Sequence, residues 1–212
     1  MREHERYAAN NSDSFFLVRG ASVLVVGLLK LGDKGAIEVA LRIVRRALRW
    51  DINDAHNWSL WQQALALRGD RNSAEYIGWE AIRRFPENPV LRSQLSGFFA
   101  VDSARQAEAW SLITETVNRF PEHEHSWTQL ALLMRNMPGR KRDTEELLKK
   151  ALDKLPESLI IGTFHASMLL AVGKTTEAAH ELDIVERSSK GRPSAAYYAI
   201  RVRWALQTGG PN

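Results

Sequence analysis

"RRFPENP" at residues 83–89 returns as "NRFPEHE" at 118–124 and as "DKLPESL" at 153–159. The three prolines, Pro86, Pro121 and Pro156, stand 35 residues apart. Self-similarity at a fixed period of this length is the signature of a repeat array, and it decides the fold before any other feature does. Proline has no N–H to donate and holds the residue before it extended, so each Phe-Pro or Leu-Pro pair closes a helix. Ahead of each lies a segment whose apolar residues recur with the helical period: "NSAEYIGWEAIRRF", "RQAEAWSLITETVNRF" and "RDTEELLKKALDKL". After each proline comes a second such segment: "PVLRSQLSGFFA", "EHSWTQLALLMR" and "SLIIGTFHASMLLAVG". No stretch alternates with a period of two for long. The pattern predicts helix–turn–helix, repeated.

The remaining residues fall into the same register. Trp58 precedes Trp127 by 69 residues, two repeats. Leu95 and Leu130 are one repeat apart, as are Ala131 and Ala166. Ala47, Ala81 and Ala151 share one position of the second helix, where Thr116 and Val185 stand in the other units. Small side chains at such a position let two helices cross closely. Gly69-Asp70 and Gly173-Lys174 fall where the first helix must stop, the usual place for a glycine.

This arrangement resembles the tetratricopeptide repeat, a family of about 34 residues per unit. Unit 55–88 carries Trp58, Leu65, Gly69, Ala74, Ala81 and Pro86 at the family's positions, and unit 124–158 carries Trp127, Leu130, Ala131, Met134, Ala151 and Pro156. Unit 89–123 keeps Leu95, Ser96, Phe99 and Pro121; unit 159–192 keeps Ala166, Leu169, Gly173 and Ala178. Unit 21–54 is degenerate, with Leu31, Ala40 and Ala47 but Ile52 where proline belongs. The half-a-tetratricopeptide repeat of RNA-processing scaffolds is a neighbouring resemblance, which the Pro121-to-Trp127 spacing suits. The resemblance implies an all-α, right-handed superhelix (an α-solenoid) of about five helix pairs plus a C-terminal helix at 194–207. It makes 14–207 a single repeat domain between a lead-in at 1–13 and a tail at 208–212.

Composition sets outer bounds. Apolar residues at 44% and charged residues at 25% suit a chain with a sizeable core. The absence of cysteine excludes disulfides, thiolate metal sites and thiol catalysis. A net charge of +4 permits contact with nucleic acid or acidic lipid without requiring it. The longest apolar stretch, "FFLVRGASVLVVGLLKLG" at 15–32, is broken by Arg19 and Lys30. It falls short of the roughly 20 apolar residues of a spanning helix, and no small-residue cleavage site of a signal peptide follows it. A soluble, cytoplasmic protein is expected.

By resemblance, first helices line a concave groove that takes a peptide segment or partner protein, and family members rarely catalyse. The groove positions carry Ser22, Val25, Val26 and Leu29; then His56, Ser59 and Gln63; then Ser93, Gln94 and Gly97; then His125, Thr128, Gln129, Arg135 and Asn136; then Ile160, Thr163, Phe164 and Ser167. Ser, Thr and Gln in such a lining pair with the main chain of an extended peptide. The Lys and Asn set with which chaperone-binding members clamp a C-terminal carboxylate is replaced by Ser59, Gln63, Gln94 and Thr128. Charge lies elsewhere: Arg42, Arg45, Arg46 and Arg49 share one face of a second helix. They complement the negative end of the helix dipole, or they form a convex strip for RNA, DNA or an acidic protein. Trp50, Phe85 and Phe120, at the ends of second helices, read as apolar plugs between units.

Enzyme signatures do not assemble. "HEH" (His123, Glu124, His125) offers too few ligands for a metal site, which takes three or four. "GKT" at 173–175 lacks the first glycine of a phosphate loop, since Met168 stands there. His165 and His180 are lone helical histidines. A non-catalytic adaptor without cofactor or metal is expected.

Two end segments complete the reading. "SVLVVGLLKL" at 22–31 is apolar nearly all round, so it expects burial on both sides. The excess suggests that the N-terminal unit, through Val25 and Leu29, is a contact site for a ligand or a second copy, unless Phe15, Phe16 and Leu17 fold back over it. "AAYYAIRVRWAL" at 195–206 presents Tyr197, Ile200 and Trp204 on one face and offers a second route to self-association.

Overall fold

The computed structural model describes residues 22–137 and 139–209, leaving the side chain of Lys141 aside. Helix α1 covers residues 22–31. It is followed by α2 (Lys34–Trp50), α3 (Ala55–Arg68), α4 (Arg71–Arg84), α5 (Pro89–Ala100), a 3₁₀ turn (Ser103–Arg105), α6 (Gln106–Arg119), α7 (Glu124–Arg135), α8 (Lys141–Lys154), α9 (Leu159–Ala171), α10 (Thr175–Ser188) and α11 (Ala195–Thr208). No strand occurs among the described residues. Helices pair where the 35-residue period places them. The expected lead-in at 1–13 and the lid of Phe15, Phe16 and Leu17 lie outside the described residues, as do residues 210–212 of the tail.

The repeated Pro-Glu element is a turn of one geometry. Phe85, Phe120 and Leu155 each close a helix with φ/ψ of −125/66°, −128/64° and −129/64°. Each still donates its N–H to the carbonyl four residues back, at 2.9, 2.8 and 2.9 Å. Each then accepts from the N–H three residues on, from Asn88, His123 and Ser158, at 3.0 Å in all three. Proline is suited to the second position of such a turn because its φ is preset and that position needs no N–H. Asn88 and Ser158 go on to cap the next helix, with Asn88 Oδ1 accepting from Val90 N at 3.0 Å and Ser158 Oγ from Ile161 N at 3.1 Å.

The indoles of the repeat brace the same junction. Trp127 Nε1 donates to Pro121 O at 2.8 Å, and Trp58 Nε1 donates to Ile52 O at 2.8 Å. The degenerate first unit therefore keeps the junction bond although it lacks the proline. Gly69 (φ +89°) and Gly173 (φ +79°) take the left-handed conformation at the turn inside their units, where a side chain would be strained.

The chain divides into two compact units, one up to Phe98 and one from Phe99, where the sequence suggests one continuous array. In the first unit α2 packs on α3 and α3 on α4. Its core holds Val25, Ala40, Leu41, Val44, Ala64, Leu65, Ala74 and Leu95. In the second unit α7 packs against α9 and α9 against α11, with α8 and α10 alongside. Ala166, Leu182, Val185 and Tyr197 form one cluster there, and Leu169, Leu170 and Ala178 another; Ile200 and Trp204 pack against both. Ala47, Ala81, Thr116, Ala151 and Val185 are all buried, as close helix crossing requires. At Gly162 the approach is close: an added Cβ would lie 2.7 Å from Val185 Cγ2.

Two expectations are corrected. Helix α1 is not buried on both sides: Val25 is 0% exposed, whereas Val23 is 73%, Leu24 62% and Leu31 70% exposed. A single helix has one inward face, and consecutive residues are about 100° apart. Nor is Trp50 a plug between units; its side chain stands 57% exposed. Phe85 and Phe120 are half-buried.

Candidate binding face

Helices α1, α3 and α5 of the first unit are joined by a polar seam that repeats with the period of the chain. Ser22 Oγ donates to Asn57 Oδ1 at 3.0 Å, across 35 residues. Ser59 Oγ donates to Gln94 Oε1, again across 35 residues. Gln94 Nε2 donates to Ser59 O at 2.8 Å and to Gln62 Oε1 at 2.7 Å. Gln63 Nε2 donates to Ser59 Oγ and to Gln94 Oε1, both at 3.2 Å. A backbone carbonyl only accepts, which fixes the Gln94 amide nitrogen toward Ser59 O and its oxygen toward the Ser59 hydroxyl. Gln63 Nε2 is thus engaged inside the cluster, while Gln63 Oε1 accepts no hydrogen bond among the described residues and its side chain is exposed.

The seam revises what the uncharged lining does. Ser59, Gln63 and Gln94 bond chiefly to one another, and Ser22, Ser59 and Ser93 are buried. His56 and Gln63 are exposed, and Gln94, Gly97 and Val26 are half-buried. Val25 and Leu29 are core residues of the first unit, so they are not available as groove residues. Asn57 and Gln62, which complete the seam, were not singled out by sequence. Their signal was present: Ser22 to Asn57 and Ser59 to Gln94 are the same 35-residue step as the prolines.

In the second unit, α7 carries His125, Thr128, Gln129 and Arg135, with Asn136 at its end. Thr128 Oγ1 donates to His125 O at 3.0 Å, and the Arg135 guanidinium lies 5.8 Å from the Phe164 ring centre on α9. Thr163 is buried, with Oγ1 donating to Leu159 O at 2.6 Å; Ser167 is half-buried and Ile160 exposed. His123 Nδ1 lies 2.7 Å from Ser126 Oγ; its burial, and then the neighbouring His125, lower its pKa from the usual 6.5. No group of three or more His, Cys, Asp or Glu positioned to hold a metal occurs among the described residues. His165 is buried on α9, with Nδ1 3.4 Å from Glu181 Oε1, while His180 is exposed.

Arg42, Arg45, Arg46 and Arg49 are exposed on α2 and line a shallow concavity with Trp50. The Arg45 guanidinium lies 5.9 Å from the Trp61 ring centre. Trp61 lies 5.6 Å from Trp58, whose ring has Arg84 at 5.4 Å on its own account. None of the four arginines has an acidic partner among the described residues.

No family model and no curated protein matches the sequence. Solved structures do match. TTC0263, a thermophilic TPR protein of Thermus thermophilus, is 21% identical and superposes with a TM-score of 0.65, over 90% of this chain and 98% of that one. PilF of Pseudomonas aeruginosa is 18% identical, with a TM-score of 0.59 over 93% of this chain and 86% of its own. Yeast Tom70 is 15% identical, with a TM-score of 0.66 over 92% of this chain and 40% of its own. The chain has the tetratricopeptide-repeat fold. Within that fold the helix pairs, the Trp58 and Trp127 junctions and the Pro-Glu turns are the repeat's own architecture. The polar seam and the arginine row lie on this scaffold. No helix among its described residues is long and apolar enough to cross a membrane.

Proposed function

We propose that this chain is a non-catalytic adaptor that holds an extended segment of a partner protein against the α3–α5 face of its first unit. The supporting observation is the exposed Gln63 side chain, whose amide nitrogen is held by Ser59 and Gln94 while its oxygen has no partner among the described residues. A fixed acceptor of this kind takes a main-chain N–H from an extended peptide without first losing side-chain freedom, which is otherwise a cost of binding. Exposed His56 lies about two turns earlier on the same helix. A cytoplasmic location belongs to this reading, and fractionation of cells expressing the tagged chain checks it.

A random peptide library panned on the folded chain tests the capture. Selected peptides should bind with little dependence on ionic strength, because the seam is uncharged. Gln63→Ala should weaken them several-fold while the circular dichroism spectrum stays helical. Peptides that bind the variant as tightly as the wild type would remove this face from consideration.

A further inference from the structure

The arginine row on α2 calls for an explanation that the helix itself does not supply. Arg42, Arg45, Arg46 and Arg49 follow each other at three- and four-residue spacings, along about 10 Å of helix rise. Like charges at these spacings destabilise a helix. The dipole accounts for one of them at most, since only Arg49 lies in the last turn and the effect fades beyond it. Glu38, the one acid within α2, pairs with Arg68 of α3 at 3.7 Å. Some exposed cations elsewhere have acids beside them, as in Arg83–Glu80 at 2.5 Å and Arg142–Glu146 at 3.6 Å. The row is thus a charge surplus maintained against local cost.

We propose that this row, together with Trp50, binds single-stranded nucleic acid, independently of peptide capture at the other face. Guanidinium groups fork onto phosphate oxygens with two parallel hydrogen bonds. The concavity they line ends at an exposed indole, and a basic groove beside an aromatic platform is the recognition set for an unpaired strand. A lipid surface fits less well. An interfacial helix needs a free apolar face, and Leu41, Val44, Ala47 and Leu48 of α2 are committed to the core.

The test uses the full chain and a fluorescent oligouridylate of about ten nucleotides, a length within the usual single-strand site size. With four phosphates contacted, log K should fall against log salt with a slope of about −3. Arg42→Gln or Arg46→Gln should each remove about 0.7 from that slope. Trp50→Ala should weaken binding about ten-fold at unchanged slope, and Trp50→Phe should restore most of it, because stacking needs only an aromatic face. Arg142→Gln, on an exposed and paired arginine, should change nothing. These side chains are exposed, so the variants should keep the helical spectrum of the wild type. The proposal is overturned if the oligonucleotide does not bind, or if the arginine variants bind it unchanged. It is equally overturned if Trp50→Ala is silent, or if duplex, phosphatidylserine vesicles or polyglutamate displace the strand at matched charge. Gln63→Ala should leave all of this intact, which separates failure here from failure of the adaptor reading.

Discussion

Gln62 lies directly against the backbone of Gly78: a Cβ added there would sit 2.8 Å from Gln62 Nε2, and 2.7 Å from Leu95 Cδ1. Gln62 cannot swing away freely, because its Oε1 accepts from Gln94 Nε2 at 2.7 Å. Gly78→Ala should therefore destabilise the chain by about 1–3 kcal/mol through overpacking, although alanine is the better helix former. Gly27 on α1 has nothing within 4 Å of an added Cβ. Gly27→Ala should stabilise by about 0.5–1 kcal/mol. Urea unfolding of the two variants beside the wild type reads the opposite signs; two shifts in the same direction would refute the close approach.

Repeat 21–54 lacks the proline that closes three of the others. Asp51, just ahead of Ile52, is already extended at φ/ψ −140/97°, as a residue before proline must be. The Ile52 N–H makes no backbone hydrogen bond of the kind a proline would remove. Ile52→Pro should stabilise by about 0.4–1 kcal/mol by restricting the unfolded chain. A fall in the thermal midpoint would show that this junction differs from those at Pro86, Pro121 and Pro156.

Glu145 joins α8 to α10. Its carboxylate accepts from Lys149 Nζ at 2.7 Å and from Lys174 Nζ at 2.9 Å, and these bonds lower its pKa from 4.5 to about 2. A depressed folded-state pKa gives stability that is complete above the unfolded value and disappears as pH falls through the folded one. Glu145→Gln should accordingly be less stable than wild type at pH 7. The difference should shrink from about pH 4.5 downward and be lost as pH falls through about 2. A difference independent of pH would mean that packing, not charge, sets the effect.

Helix α1 sorts its own apolar residues. Val25→Asp places a carboxylate in the core of the first unit and should abolish cooperative unfolding of that unit, since an unpaired buried charge is among the costliest substitutions. Val23→Asp, on a side chain in solvent, should stay within about 0.5 kcal/mol of wild type. Equal effects at the two positions would contradict the assigned face.

The helix pairs were legible in the sequence because Pro86, Pro121 and Pro156 mark the ends of three second helices and Trp58 and Trp127 fix the register of two first helices. Face assignment within α1 was not. When Val23, Leu24, Val25, Val26, Leu28 and Leu29 are all apolar, periodicity has no polar side from which to take its phase. The seam was missed for the opposite reason. Ser59, Gln63 and Gln94 look like an ordinary solvated helix face until their neighbours one repeat away are brought beside them. Trp50 read as a plug because aromatic residues end the equivalent helices at Phe85 and Phe120, yet its own side chain is in solvent. The arginine row was visible throughout; what structure added was the absence of paired acids around it among the described residues.

Identical junctions make the chain editable by whole modules. The chain leaves α6 at Phe120 and α8 at Leu155 through the same backbone angles, the same turn and the same distance to the next helix. Excising residues 122–156 would fuse Pro121 to Glu157 and recreate a Phe-Pro-Glu-Ser turn, with Ser158 still in place to cap α9. The shortened protein would meet no new loop and no frame shift of its helical faces. Gene duplication or loss in steps of 35 codons therefore leaves the local stereochemistry of the joint untouched. A deletion one residue longer or shorter would rotate the incoming helix by about 100° and turn its buried side toward water.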